Sequence, residues 1–198
     1  MKYYAVRCGK KVGVYNSWKE CESQVKGFSG AVYKSFKDRA EAERFIFSDE
    51  EKFPEELKEG MALAYVDGSF RKEDFHYSYG MVFLTKDGEE YFSGVGENRE
   101  NSSMRNVAGE ILGSIKAVHK ALESGIKELC ICYDYMGIEK WVSGEWQAKK
   151  SGTQHYRDFM RKAMSEIKIS FKKVKAHSGV KYNEMADKLA KKALGIGD

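Results

Sequence analysis

Four carboxylates stand where this chain could do chemistry. Asp67 follows the uncharged apolar run Met61–Val66 and precedes Gly68 and Ser69, and Asp134 ends a second apolar run, Leu129–Tyr133. Glu110 lies early in one helical pattern and Asp187 lies within another near the C-terminus. Read singly, each has an ordinary structural role: Asp-Gly after a strand makes turns, and an acid early in a helix serves the helix dipole. Read as a set, they specify a chemistry. Carboxylates gathered at one sheet edge raise one another's pKa until a divalent cation neutralises them. Hard oxygen donors without a Cys or His cluster select Mg²⁺ or Mn²⁺. Spacing alone leaves open whether the four meet in space.

The elements that would position them are readable from the pattern. Met61–Val66 predicts a central strand that hands out Asp67 where burial ends, and Tyr77–Thr85 and Glu90–Gly96 predict two more strands around an Asp87-Gly88 hairpin turn. A helix over about residues 104–124 puts Val107, Ile111, Ile115 and Leu122 on one stripe and Glu110 on its flank, toward the sheet edge. Leu129–Tyr133 is another strand, delivering Asp134 from its carboxyl end. Helices over Met136–Val142 and about Thr153–Ile167, a strand over Ile167–Val174 and a closing helix over Asn183–Leu194 complete the order βββαβααβα.

Composition narrows the class. The 198 residues are 42% hydrophobic and 13% aromatic with a single proline, enough apolar side chain for a packed core. No apolar run approaches the ~20 residues that span a bilayer, and Met1–Gly13 lack the apolar block of a secretory signal. The four cysteines form neither a CxxC pair nor a dense framework, so reduced thiols and a cytoplasmic protein without a membrane partner are expected. The net charge of +4 is mild, but residues 1–47 hold ten Lys/Arg against five Asp/Glu, while residues 48–60 hold two against six. The acidic stretch carries Pro54 and ends in Gly60, which predicts domains at 1–47 and 61–198 joined by a linker at 48–60.

The basic N-terminal segment reads as its own ββαβα module. Tyr3–Arg7 and Gly13–Asn16 flank a Gly-Lys-Lys turn, and Ser17 with Glu20 forms a capping box that starts a helix at Trp18 and stops it near Gly27. A strand over residues 31–36 and a helix capped by Asp38 and reaching Phe47 follow. So short a module cannot bury all of Tyr4, Trp18, Tyr33 and Phe36. Exposed rings beside lysines stack on bases or sugars while the lysines neutralise phosphates; the alternative is a core of rings under a solvated lysine face.

Two stretches resemble known families. Tyr4-Ala-Val-Arg-x-Gly-Lys-Lys-x-Gly-Val-Tyr15, Ser17-Trp18-x-Glu20-Cys-x-x-Gln24-Val25 and Tyr33-Lys34-x-Phe36 resemble the hybrid-binding domain at the N-terminus of many cellular ribonucleases H. Tyr65-Val-Asp67-Gly-Ser, Asn106-Val-Ala-Gly-Glu110, Cys132-Tyr-Asp134-Tyr and His177-Ser-Gly179 followed by Asn183-Glu-Met-Ala-Asp187 resemble, in order and spacing, the four acid motifs of type 1 ribonuclease H. The resemblance implies an α/β ribonuclease H-like fold, a five-stranded mixed sheet flanked by helices. It implies an endoribonuclease that hydrolyses the RNA strand of RNA/DNA hybrids and leaves 3′-hydroxyl and 5′-phosphate ends. Two Mg²⁺, with Mn²⁺ as a substitute, are the implied cofactors.

The same resemblance implies roles. Asp67 bridges both ions, Glu110 and Asp134 complete the one assisting the leaving group, and Asp187 holds the one activating water. His177 matches a loop histidine that helps proton transfer or product release, and Glu184 matches an acid that tunes metal or product exit. Trp18 and Tyr33 clamp the DNA strand, Lys34 meets phosphate, and Tyr4 supports the RNA side. Val32 and Ser35 stand where some members carry basic residues, which predicts a weaker or more salt-sensitive grip. Asn106 matches a minor-groove reader, whereas Arg105 stands where a small polar residue often meets a DNA phosphate; Thr153 or Gln154, starting a helix, could donate there instead. The partner implied is an RNA/DNA hybrid, with dsRNA bound weakly and no obligate protein partner. A non-catalytic hybrid-binding protein and a DNA-junction nuclease on the same fold are the alternatives.

Overall fold

The computed structural model describes residues 2–28, 31–46, 57–174 and 180–196, which fall into two compact units. In the N-terminal unit, β1 (Tyr3–Cys8), β2 (Gly13–Tyr15) and β3 (Val32–Phe36) form an antiparallel sheet in the order β2-β1-β3, with α1 (Trp18–Val25) and α2 (Arg39–Ile46) beside it. The ββαβα order is the expected one. The capping box forms: the Glu20 N–H donates to Ser17 Oγ at 3.3 Å, and the Ser17 N–H donates to Glu20 Oε2 at 3.2 Å. Trp18 is therefore held at the first turn of α1. Val6, Cys21 and Val25 make a small core that leaves Trp18 and Tyr33 at the surface. The expected end of the last helix at Phe47 and most of the expected linker, residues 47–56, lie outside the described residues.

The C-terminal unit contains β4 (Met61–Arg71), β5 (His76–Thr85), β6 (Gly88–Val95), α3 (Asn106–Glu123), β7 (Glu128–Tyr133), α4 (Gly137–Ser143), α5 (Ser151–Ala163), β8 (Lys168–Lys173) and α6 (Lys181–Ala193). The sheet order is β6-β5-β4-β7-β8, antiparallel through β4 and parallel beyond it. Val66, Met81, Phe83, Ile131 and Tyr133 on the sheet pack with Val118, Ile138, Tyr156 and Met160 from the helices. Among the described residues no helix is long and apolar enough to cross a membrane.

Two features differ from the pattern-based expectation. First, β4 does not end at Asp67: it pairs with β5 as far as Arg71–His76, while its pairing with β7 ends at Tyr65–Cys132. Asp67 thus lies just past the end of its parallel neighbour, inside a strand that continues on its other edge. Second, of the expected α3 stripe Ile111 is buried and Val107 and Ile115 pack against the core, but Leu122 is exposed, and much of the buried face is made of small residues, Ala108, Gly109, Gly113, Ser114, Ala117 and Ala121. The first turn of α3 is also preceded by a 3-10 segment, Arg99–Met104. A large apolar stripe follows from hydrophobicity as the sign of burial, whereas close backbone approach selects residues for size.

Candidate active site

The backbone approach is what brings the acids together. A methyl group on Gly68 would lie 2.0 Å from the Asn106 carbonyl oxygen and 2.7 Å from the Glu110 nitrogen. One on Gly109 would lie 1.9 Å from the Ser78 carbonyl oxygen and 2.6 Å from the Gly68 Cα. With no side chain at either position, α3 rests directly on β4 and β5, and Glu110 enters the sheet edge beside Asp67. β7 then ends at Tyr133 and delivers Asp134 to the same place. Oxygen atoms of Asp67, Glu110 and Asp134 all lie within 4.8 Å of one another.

Electrostatics in this cluster are unfavourable without a cation. Glu110 is 1% exposed. Burial, followed by the charges of Asp134 and Asp67, pushes its carboxyl well above the usual carboxylate range, while the Tyr135 N–H, 3.2 Å from Oε2, pulls the other way. Asp67 is pushed up to about 7 by burial and then by Asp134. The Gly68 N–H, donating to Oδ1 at 2.7 Å, and the charge of Lys191 offset part of that. Three converging carboxylates with two raised in this way suit a hard divalent cation, which replaces mutual repulsion by attraction.

Asp187 stands slightly apart from the other acids. α6 approaches the other face of the sheet through Gly80 of β5, the register partner of Asp67, where a methyl group would lie 2.0 Å from the Ala186 carbonyl oxygen. This close seat carries Asp187 near enough for its charge to raise the Asp67 carboxyl. Its Oδ2 is paired with Lys191 Nζ at 2.7 Å, one helical turn later, and the mutually close trio does not include it. Glu184 is exposed in the first turn of α6, and His177 lies outside the described residues.

The remaining predicted residues occupy two surfaces. In the N-terminal unit, Tyr4, Trp18 and Tyr33 form a continuous row with ring centroids 5.8 Å and 5.7 Å apart, and Trp18 and Tyr33 are 43% and 46% exposed. Strand alternation turns Lys34 to the other face from Tyr33, where its Nζ lies 5.5 Å from the centre of the Phe36 ring. In the C-terminal unit, a cleft of about 330 Å³ adjoins the acids through Tyr135, with Met104, Val107 and Trp141 as its apolar wall and Lys149, Lys150 and Thr153 as polar lining. Thr153 is buried, and its hydroxyl donates to the Lys150 carbonyl at 2.8 Å, so that donor secures the start of α5 rather than pointing outward. Arg105 and Asn106 are exposed at the start of α3, and Arg105 holds φ 54°, a backbone state that L side chains rarely adopt.

Comparison with known families gives two matches, the "Ribonuclease H1 N-terminal domain" over residues 2–46 and "RNase H" over residues 59–195. The chain belongs to the ribonuclease H family. Ribonuclease H1 of Mus musculus is 27% identical over 253 aligned positions, covering 96% of this chain and 88% of the mouse protein. Ribonuclease H of Saccharomyces cerevisiae is 48% identical over 44 residues, 22% of this chain and only 13% of the yeast protein. The crystal structure of LC11-RNase H1 in complex with RNA/DNA hybrid superposes with a TM-score of 0.54 at 17% identity, covering 68% of this chain and 99% of that one, which shows the shared ribonuclease H fold.

Several features of this ribonuclease H site are not specified by residue type and spacing. Tyr135 follows Asp134 directly and ties Glu110 to the cleft, and Lys191 sits four residues after Asp187, the spacing of a helical ion pair. Gly68 and Gly109 matter through what they lack: both stand inside the acid motifs, but residue type and spacing do not mark them as the contact points of a helix and a sheet.

Proposed function

We propose that this chain is an endoribonuclease that hydrolyses the RNA strand of RNA/DNA hybrids, leaving 3′-hydroxyl and 5′-phosphate ends. The observation that carries this reading is the converging trio Asp67, Glu110 and Asp134, with the Asp67 and Glu110 carboxyls raised by burial and then by the neighbouring acids, in a chain of the ribonuclease H family. The hybrid bound by the LC11 relative and the matched N-terminal domain support the choice of substrate.

Two Mg²⁺, replaceable by Mn²⁺, fit the donor chemistry. When bound, they supply an activated water and charge neutralisation at the scissile phosphate. Asp67 would be a ligand common to both, with its carboxylate oriented by the Gly68 N–H. Glu110 and Asp134 would complete the donor set that assists the leaving group, and the Tyr135 N–H orients Glu110. Asp187 would supply the donor for water activation, with Lys191 balancing its charge. His177 assists proton transfer or product release, and Glu184 tunes exit. Asn106 reads the minor groove, Arg105 meets a DNA phosphate, and the Thr153 region with Lys149 and Lys150 lines the DNA side. The Tyr4, Trp18 and Tyr33 row holds a second stretch of hybrid, and tethering by the chain raises the local hybrid concentration.

The deciding experiment is cleavage of an end-labelled RNA/DNA hybrid in Mg²⁺ beside matched RNA/RNA and DNA/DNA duplexes. Cutting confined to the RNA of the hybrid is expected. Dominant duplex-DNA cutting would mark a DNA nuclease on this fold, and binding without cutting would mark a hybrid-recognition protein. Trp18→Ala in the full chain, measured by fluorescence anisotropy with chelator present, should weaken hybrid binding by about tenfold at each salt concentration, the usual worth of one aromatic stack. Unchanged affinity would remove Trp18 from the binding surface.

A further inference from the structure

The β4–β5 hairpin holds an aromatic residue in a position that the fold itself does not favour. Phe75 sits at φ 58°, in the left-handed region where glycine or asparagine is the ordinary occupant, and its ring is 64% exposed. Neither backbone preference nor burial accounts for a phenylalanine there.

The surrounding contacts hold this arrangement in place. Arg71, the last residue of β4, donates from Nε to both carboxylate oxygens of Asp74 at 3.0 Å, and its Nη1 donates to the Leu194 carbonyl just beyond α6. Asp74 also accepts the His76 N–H at 3.3 Å. The residues on both sides of Phe75 are thereby tied to each other and to the end of a helix. The Phe75 ring meets Phe70 edge to face, with centroids 6.0 Å apart.

Strand geometry relates this pair to the acids. Gly68 and Phe70 share one face of β4, and Gly68 is the point at which Asn106 and the Glu110 backbone touch the strand. Phe70 therefore lies about 7 Å farther along the same face, and Phe75 continues that line past the last paired residues, Arg71 and His76. A duplex with one strand at Asp67 and its minor groove over Asn106 would meet this edge next.

We infer that Phe75, backed by Phe70, is a substrate-positioning residue: an apolar rest for the sugar edges of the minor groove of the hybrid. This rests on the reading of the RNA/DNA hybrid as substrate. The minor groove of an A-like duplex is wide and shallow, so a ring on a rigid hairpin reaches its sugars without reading bases. Such a contact displaces no counterion and leaves the salt dependence of binding as it was, in contrast to a lysine contact.

Phe75→Asn in the full-length chain tests this, because asparagine tolerates the same backbone conformation and removes only the ring. The expected result is an unchanged or raised Tm, KM for the hybrid up by about tenfold, kcat within about twofold, and the same slope of log KM against log salt. Phe75→Tyr should retain the parental KM. The same effect is expected with Trp18→Ala in the background, where the N-terminal rings cannot mask it. Parental KM in both backgrounds overturns the role, and so does a changed salt slope, which would point to disturbed charges at Arg71. If the parent chain cuts no hybrid, the substrate reading fails first; if it cuts hybrid and Phe75→Asn matches it, only the role of Phe75 is lost.

Discussion

Asp67→Asn should reduce Mg²⁺-dependent cleavage of the hybrid by on the order of 10³-fold or more, while hybrid binding in chelator stays near the parental value. The amide keeps the shape of the carboxylate and its contact with the Gly68 N–H but loses the charge that a bridging metal ligand needs. The same substitution should stabilise the metal-free protein. The Asp67 carboxyl is raised to about 7 in the folded chain, so the fold binds a proton that the unfolded chain has already released. Stability therefore falls as pH rises from about 4 to about 7 and stays low above that. At pH 8 the Asn variant escapes a penalty of a few kcal/mol, because holding the carboxyl one pH unit higher in the fold than in the unfolded chain costs about 1.4 kcal/mol. Thermal melts in chelator should show the variant several degrees above the parent at pH 8 and close to it near pH 4. Retained cleavage would remove Asp67 from the catalytic set, and a parental melting profile would show that its carboxyl is not held in the crowded state described.

Gly109→Val should unseat α3. The new Cβ would meet the Ser78 carbonyl and the Gly68 Cα, both backbone atoms that no rotamer change can move. Overpacking of this kind costs about 3 kcal/mol, which for a protein of this size lowers Tm by roughly 6–12 °C. The larger consequence is chemical: a helix lifted off the sheet withdraws Glu110 from Asp67 and Asp134, so cleavage should fall further than the loss of stability explains. Gly113→Ala is the control on the same helix face, because its Cβ meets only side-chain atoms, those of Val66 and Tyr79 at 3.3–3.4 Å. Near-parental stability and activity are expected there. Equal behaviour of the two variants would mean that the Gly109 contact does not set the position of Glu110.

Much of this is legible in the sequence. The apolar runs ending near Asp67 and Asp134, the meander around Asp87-Gly88 and the helical patterns carrying Glu110 and Asp187 specify the element order, because hydrophobic periodicity and turn chemistry are local properties. The Ser17–Glu20 box likewise places Trp18 at a helix start from neighbouring residues alone. Those same residue types and spacings suffice to suggest the family. What they do not contain is distance. That β4 runs on past Asp67 depends on β5 being longer than β7, and the meeting of Glu110 with Asp67 depends on two glycines removing side chains from a helix–sheet contact. The pairing of Asp187 with Lys191 and the exposed, left-handed Phe75 are also products of assembly. Local sequence decides which element each residue joins, since backbone preferences and amphipathic pattern act within a few residues. Only the packed structure decides which carboxylates share a site and how far their pKa values rise, since repulsion and desolvation depend on contacts between segments far apart in the chain.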